Sequence, residues 1–205
     1  IAFRDDPEAL ALWREQAGVR IDGDIVRAPA DWIREICSNA PSQFTQLARN
    51  PERSVTIGNR HQVFAPIYGA PFVRDLEKGR RYGDLESFQD LVRLTYLSPA
   101  LHHGGFVTCE PCDVPVSKRH LDMLFTHMTL SDKPHLGAIT EMSRAQDSVD
   151  MAEIIFGQDT MENNCVIMGN VNTNSPLLVD KVVTQAVRVY CGRGQGIVVV
   201  TFILS

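Results

Sequence analysis

From Leu101 onward the chain alternates short apolar runs with amphipathic stretches, and this alternation limits the possible folds more than any other feature. "LHHGGFVTCEPCDVPV" predicts a strand with a polar end, and "SKRHLDMLFTHMTLSDK" a helix. "PHLGAIT" predicts a second strand, and "SRAQDSVDMAEIIFG" a helix closed by Gly157. "NCVIMGNVNTNSP" predicts a third strand with a polar end, and "LLVDKVVTQAVRVYCGRG" a helix closed by glycines. "GIVVVTFILS" predicts a fourth strand. A β-α-β-α-β-α-β order in units of about thirty residues implies a parallel sheet with right-handed crossovers. The strands are expected near residues 105–109, 136–140, 165–170 and 197–203, as parallel neighbours in that order.

Two architectures fit: an open doubly wound sheet and a (β/α)8 TIM barrel. No Gly-x-Gly-x-x-Gly follows the first strand, and there is no P-loop. "CGRGQG" follows a helix and precedes a strand, so it is a turn rather than a phosphate cradle. The barrel is therefore the better reading. Four strands cannot close a barrel, so only about its first half is expected in this chain.

Residues 1–100 read as a separate α+β region, with 101–205 as the barrel part. Asp6-Pro7-Glu8 opens a helix through Trp13, with Pro and acid in the first turn. "GVRIDGDIVRAP" predicts a hairpin around Asp22-Gly23. Pro29-Ala30-Asp31 starts a helix that ends before Pro41. "SVTIGNRHQVFAPIYG" predicts a second hairpin, turning at Gly58-Asn59. "DLESFQDLVRLTYLSPAL" places Leu85, Phe88, Leu91, Val92, Thr95 and Tyr96 at helical spacing, with Asp84 as N-cap.

Charge and composition narrow the function. A formal net charge of −5 gives no electrostatic case for nucleic acid or acidic membranes. No apolar run reaches membrane length. Five cysteines, an odd number spread along 205 residues, suit free thiols in a reducing cytoplasm better than a disulfide framework. The chain starts at Ile1 without a signal-peptide pattern and reads as part of something longer.

In a (β/α)8 barrel the strand C-terminal ends and the loops after them build the active site. Those positions hold Thr108-Cys109-Glu110-Pro111-Cys112-Asp113, Thr140-Glu141-Met142-Ser143-Arg144 and Asn170-Val171-Asn172-Thr173-Asn174-Ser175. Alternate residues of a strand share a face, so Asn170, Asn172 and Asn174 can point together into the barrel mouth. Ser175 reads as the cap of a helix whose first residue is Pro176. Cys109-x-x-Cys112 can bind zinc or do redox work, but two further zinc ligands at suitable spacing are missing. His120 and His127, seven apart, do not match a zinc pattern. The expectation is free thiols and no metal. His102-His103 would sit at the barrel bottom, which favours a structural role.

"GGFVTCEPCDVP", "ITEMSRAQDSVDMAEIIFG", "VIMGNVNTNSPLLVD" and "RHQVFAPIYGAPFVRD" resemble the trimethylamine methyltransferase family, the corrinoid-dependent amine methyltransferases. The likeness runs across essentially the whole chain, and "GNVNTNSPL" is its most specific piece. The resemblance implies a (β/α)8 barrel that moves a methyl group from an amine to the Co(I) centre of a separate corrinoid protein. No cofactor is then bound directly, because the partner carries the cobalamin. Founding members carry pyrrolysine in a stretch not covered here, and members without it act on glycine betaine and related quaternary amines. This chain reads as one without pyrrolysine, with a role in methylamine metabolism, and a homo-oligomer is expected.

The residues match this chemistry as follows. Glu110, Asp113 and Glu141 can supply negative charge for an ammonium, with Tyr68 and Phe72 as aromatic surface. Arg144, Asn170 and Asn172 can hold a carboxylate or orient the substrate. Glu110, Glu141 and Asn172 are the candidate catalytic residues. Each has a plainer alternative: Glu141 can simply pair with Arg144, Tyr68 can be core, and Asn170 and Asn172 can be turn residues. Two rival functions stay open, a lyase or hydrolase using Glu110 or Glu141 as acid/base, and a non-catalytic betaine-binding module.

Overall fold

The computed structural model of the protein describes residues 1–173 and 177–201. The chain begins with β1 (Ala2–Arg4) and α1 (Pro7–Arg14). Asp6 caps α1, its carboxylate accepting from the Ala9 N–H at 3.0 Å, and Pro7 fills the first turn. β2 (Arg20–Asp22) and β3 (Ile25–Arg27) form the expected hairpin, with Asp22 opposite Ile25. Its tight turn needs a positive φ, and Gly23 adopts +59°. α2 (Ala30–Ser38) follows Pro29.

The second expected hairpin is corrected. β4 (Gln43–Gln46) lies upstream and is the antiparallel partner of β5 (Val55–Gly58), with a short 3-10 turn at Pro51–Arg53 between them. Past Gly58 only one isolated bridge, Gly58 to His61, remains of the predicted pairing. The turn itself forms, with Gly58 at φ +111° and Asn59 at +49°. The residues beyond it pair elsewhere: the Gly69 N–H bonds Val107 O at 2.7 Å, and the Glu110 N–H bonds Ala70 O at 2.9 Å. β6 (Phe72–Asp75) and β7 (Gly79–Tyr82) form a hairpin that the sequence pattern did not indicate. α3 (Leu85–Leu97) is capped by Asp84, which accepts from the Ser87 N–H at 2.8 Å, and buries Phe88 and Val92.

Residues 101–118 form no strand, against the expectation for 105–109. Gly105 takes φ +67°, and Pro111 and Pro115 cannot donate to a ladder. The segment nevertheless lies beside the sheet. The Gly104 N–H bonds Pro134 O at 2.8 Å, and the Leu136 N–H bonds Gly105 O at 2.9 Å. After it come α4 (Arg119–Leu130), β8 (Leu136–Gly137) and α5 (Met142–Phe156). Gly157, at φ +80°, ends α5, and α6 (Gln158–Asn163) follows. β9 (Met168–Thr173), β10 (Leu178–Asp180), α7 (Lys181–Gly192) and β11 (Gly196–Thr201) complete the described chain.

β8, β9 and β11 make a parallel sheet in that order, with Leu136 opposite Met168 and Gly196 opposite Met168 on the other side. Three of the four expected strands are thus parallel neighbours in the expected sequence, and among the described residues the sheet does not close into a barrel. The helix expected from Pro176 starts at Lys181, because Leu178–Asp180 pair in parallel with β1. The expectations for Asn174, Ser175 and Pro176, and for residues 202–203 of the last strand, lie outside the described residues.

Tyr190 of α7 fixes which face of the sheet meets the helices. Its side chain is fully buried and its hydroxyl donates to Ala138 O at 2.9 Å. A Cβ on Gly169 would lie 2.9 Å from the Tyr190 ring, and one on Gly137 would meet the Tyr190 hydroxyl and Ser148. Gly137 and Gly169 therefore lie under the helices, and burying a ring this way contributes about 1.5–3 kcal/mol. By strand alternation Asn170 and Asn172 lie on the opposite face. No helix among the described residues is long and apolar enough to cross a membrane.

Candidate active site

A cleft of about 200 Å³ opens at the C-terminal end of β8. Phe106, Val107 and Glu110 from the segment before α4 form one wall, with Arg119, His120 and Met123 of α4 beside them. Ala138, Ile139, Thr140 and Arg144 form the other wall, and Tyr68 and Val116 complete the lining. Its size suits a small ligand, since drug-sized molecules take pockets of about 300–1,000 Å³.

Tyr68 joins the cleft to the sheet. Burial pushes its hydroxyl up to about 12, a hydrogen bond to the Asn170 side chain pulls it down, and the Glu110 carboxylate raises it again. The hydroxyl is therefore a neutral donor and acceptor at ordinary pH. Asn170 is buried, and its amide oxygen has no hydrogen-bond partner. Thr108 Oγ1 and Thr173 Oγ1 are also buried without partners. Unpaired buried polar atoms are uncommon in folded proteins, and two of these three sit on β9.

Glu110 and Glu141 each have a cationic neighbour. Glu110 pairs with Arg119 at 3.2 Å, and Arg119 also donates to Val114 O at 2.9 Å. Glu141, the N-cap residue of α5, pairs with Arg144 at 2.9 Å, the plainer alternative for these two residues. Arg144 donates as well to Thr140 Oγ1 at 3.0 Å. The Glu141 side chain is 56% exposed, so this pair contributes little to stability and can exchange partners.

Of the sequence candidates, Glu110, Tyr68 and Arg144 line the cleft, Asn170 adjoins it through Tyr68, and Glu141 through its pair with Arg144. Asn172 shares the Asn170 face two residues further along β9. Asp113 and Phe72 are not brought there. Asp113 accepts from the Leu85 N–H at 2.9 Å, which makes it a second cap of α3. Phe72 packs on Tyr82 at 4.6 Å and under the Arg80 guanidinium at 3.7 Å, within the β6–β7 hairpin.

Sequence reading missed Arg119 and the pairing of His120 with Asp147. His120 Nε2 lies 2.7 Å from Asp147 Oδ2 on α5, and its Nδ1 is buried without a partner. The two residues are 27 apart on different helices, so no short-range spacing announces them. The neighbouring thiols differ from each other. Cys109 is fully buried and burial pushes its thiol up to about 11, while Cys112 is exposed; both are free. Cys109 is therefore protonated at neutral pH and a poor nucleophile or ligand. Among the described residues no group of three or more His, Cys, Asp or Glu side chains could hold a metal ion.

At the opposite end of the sheet His103 has both ring nitrogens engaged. Nδ1 accepts from the Gly105 N–H at 2.9 Å, and Nε2 lies 3.2 Å from Gln46 Oε1. This is the structural, satisfied histidine that its place at the strand N-terminal ends suggests.

The family model for trimethylamine methyltransferase (MTTB) matches residues 1–205. The glycine betaine methyltransferase of Desulfitobacterium hafniense (strain Y51) is 34% identical over 206 residues, covering 100% of this chain and 43% of that protein. The chain thus spans less than half the length of this relative.

Proposed function

The chain belongs to the trimethylamine methyltransferase family, and from that membership we propose that it forms part of an enzyme moving a methyl group from a methylated amine to the Co(I) centre of a corrinoid protein. The donor is trimethylamine or a quaternary amine such as glycine betaine, and the corrinoid arrives on a partner protein as the methyl acceptor. The observation that carries the reading is the 34% identity along the whole chain, which includes every segment that lines the cleft. The three parallel strands and their crossover helices support residues 101–205 as part of a (β/α)8 barrel, preceded by an α+β region at 1–100. The free cysteines support a cytoplasmic site of action.

The chemistry asks for a bound cation beside a reactive methyl carbon. Co(I) attacks that carbon as a nucleophile, the C–N bond breaks, and its electron pair leaves with nitrogen. A quaternary ammonium leaves as a neutral amine without added activation, while a tertiary amine must first become cationic. Glu110 supplies charge for the ammonium and Tyr68 an aromatic face. Asn170 and Asn172 orient the substrate without adding charge that would compete with it. Glu141, half-exposed, and Arg144, largely buried, are paired and exchange partners with the two ends of a zwitterion.

Mixing the protein with a Co(I) corrinoid protein and a panel of methylamines and betaines tests this directly. Formation of methyl-Co(III), read by absorbance, is expected with at least one of them. Binding of a betaine with no methyl transfer from any member of the panel would reduce the protein to a binding module.

A further inference from the structure

Cys109-x-x-Cys112 has no part in the methyl transfer, yet it brackets Glu110, the acidic residue of the cleft lining. Both cysteines are free, and both lie against Gly83, just before the Asp84 cap of α3. A Cβ added to Gly83 would lie 3.0 Å from Cys109 Sγ and 3.3 Å from Cys109 Cβ. The Cys112 N–H donates to Gly83 O at 2.9 Å. Burial, and after it the charges of Asp84, Cys112 and Glu110, push the Cys109 thiol up to about 11, against a smaller pull from Arg81. The effect of Cys112 is a second sign that the two thiols are neighbours. Their accessibility is opposite, with Cys109 fully buried and Cys112 exposed.

The two residues between the cysteines differ in freedom. Pro111 is fully buried, and its ring fixes φ. Closing a ring from Cys109 to Cys112 therefore puts most of the backbone change on Glu110. The Glu110 N–H donates to Ala70 O at 2.9 Å, and its carboxylate pairs with Arg119 at 3.2 Å. Turning this residue disturbs both contacts and takes the negative charge out of the cleft.

Resting on the methyl-transfer reading above, we propose that Cys109 and Cys112 form a reversible disulfide that shuts the cleft under oxidising conditions by displacing Glu110. The oxidant is a low-molecular-weight disulfide such as glutathione disulfide. The Cys112 thiolate attacks one of its sulfurs, the S–S bond breaks, and one thiolate leaves. Cys109 then loses its proton and attacks the Cys112 sulfur, the mixed disulfide breaks, and the second thiolate leaves. The two protein thiols give up two electrons, the oxidant gains them, and the departing thiolates take up the two protons. The exposed thiol is the point of entry. The buried one guards the reduced state, because a protonated Cys109 resolves the mixed disulfide slowly. A disulfide closed over so short a ring around a proline is strained, and strained disulfides are the readily reduced ones. The switch suits the reaction, since Co(I) is a strong reductant and the methyl acceptor is lost under the same oxidising conditions.

The full-length protein is incubated with excess glutathione disulfide, the oxidant is removed, and unreduced peptides are mapped by mass spectrometry. A Cys109–Cys112 disulfide is expected, and dithiothreitol should reverse it. Hydrogen exchange gives a readout independent of activity. The Glu110 and Cys112 amides, bonded to Ala70 O and Gly83 O, should exchange at least about tenfold faster in the oxidised protein. Single-turnover methyl transfer from glycine betaine or trimethylamine to a pre-reduced Co(I) corrinoid protein should fall at least about tenfold and return on reduction. Cys112→Ser should remove all three responses and keep the rate of the reduced protein. A glutathione adduct on Cys112 without ring closure, or unchanged exchange at Glu110, would overturn the proposal. So would transfer that the disulfide leaves unaffected, or a loss of transfer that persists in Cys112→Ser. Absence of transfer from the reduced protein with every donor, with the disulfide and its exchange response intact, would instead remove the methyltransferase reading and leave the switch standing.

Discussion

The two ends of the parallel sheet treat buried polar groups in opposite ways. At the N-terminal end, Gln46 donates to His135 O at 3.0 Å and reaches His103. Gln195 accepts from the Val166 N–H at 2.9 Å and donates to Met161 O, Asn164 O and Arg193 O. His127 Nε2 donates to Phe106 O at 2.8 Å and His135 Nδ1 to Leu136 O at 3.0 Å, leaving His127 Nδ1 as the unpaired atom of the group. At the C-terminal end, Thr108, His120, Asn170 and Thr173 each keep a buried atom without a partner. One end is closed on itself and holds the strands together, while the other holds polar capacity that the fold does not use. Since leaving a buried polar atom unpaired costs about 1–3 kcal/mol, the asymmetry marks one end as structural and supports the ligand site proposed at the other.

The largest test is of the closed end, through pH. Burial holds His103 and His127 at about 3, from an ordinary 6.5, and also lowers His135. The folded protein keeps these rings neutral while the unfolded chain protonates them. Their contribution is therefore complete above about pH 6.5 and is lost as pH falls from there toward about 3. Between about pH 7 and about pH 5, His103 and His127 should each remove about 2 kcal/mol of stability, about 4 kcal/mol together. Denaturant midpoints at the two pH values measure this. A flat profile would mean that the cluster is open to water.

A smaller effect is expected from Gln195→Leu, which keeps the volume of the side chain and removes all its polar atoms. It strands the Val166 N–H and three carbonyls, so about 3 kcal/mol or more should be lost in equilibrium unfolding. A loss under about 1 kcal/mol would erase the difference between the two ends.

What could be read from the sequence follows the same division between local and distant causes. Helices with their own caps, such as α1 after Asp6 and α3 after Asp84, were legible because the signal lies within four residues. The parallel order of β8, β9 and β11 was legible because crossover helices separate apolar runs. The strand expected at 105–109 failed on Gly105, whose positive φ breaks the extension. The hairpin at Gly58-Asn59 failed because the residues beyond the turn bond the 101–118 segment instead of running back along β5, whose partner is Gln43–Gln46. At the candidate site, Glu110, Arg144 and Asn170 could be named from their place after expected strands, and Tyr68 as aromatic surface in "IYGAPF". Asp113 was misplaced because its use, capping α3 at Leu85, lies 28 residues away in sequence. Gln46 and Gln195 could not be found at all, since their partners are backbone groups up to 120 residues distant.

The open end has the smallest expected energetic effect and the sharpest functional one. Asn170 gives one hydrogen bond to Tyr68, and its amide oxygen is already unpaired, so Asn170→Ala removes little that the fold depends on. Asn172 stands two residues further along the same face and is half-buried. If these amides orient a methylated ammonium, losing either one acts on the transition state more than on the folded state. Methyl transfer should fall about tenfold, equivalent to about 1.4 kcal/mol of barrier, while the melting temperature stays within a few degrees. Gln195→Leu should do the opposite, lowering stability and sparing the turnover of the protein that remains folded. An Asn172→Ala protein that melts early and turns over normally would show that β9 ends in a structural turn. The unpaired Asn170 oxygen would then be a cost of the fold, and the C-terminal end would lose its claim to the substrate.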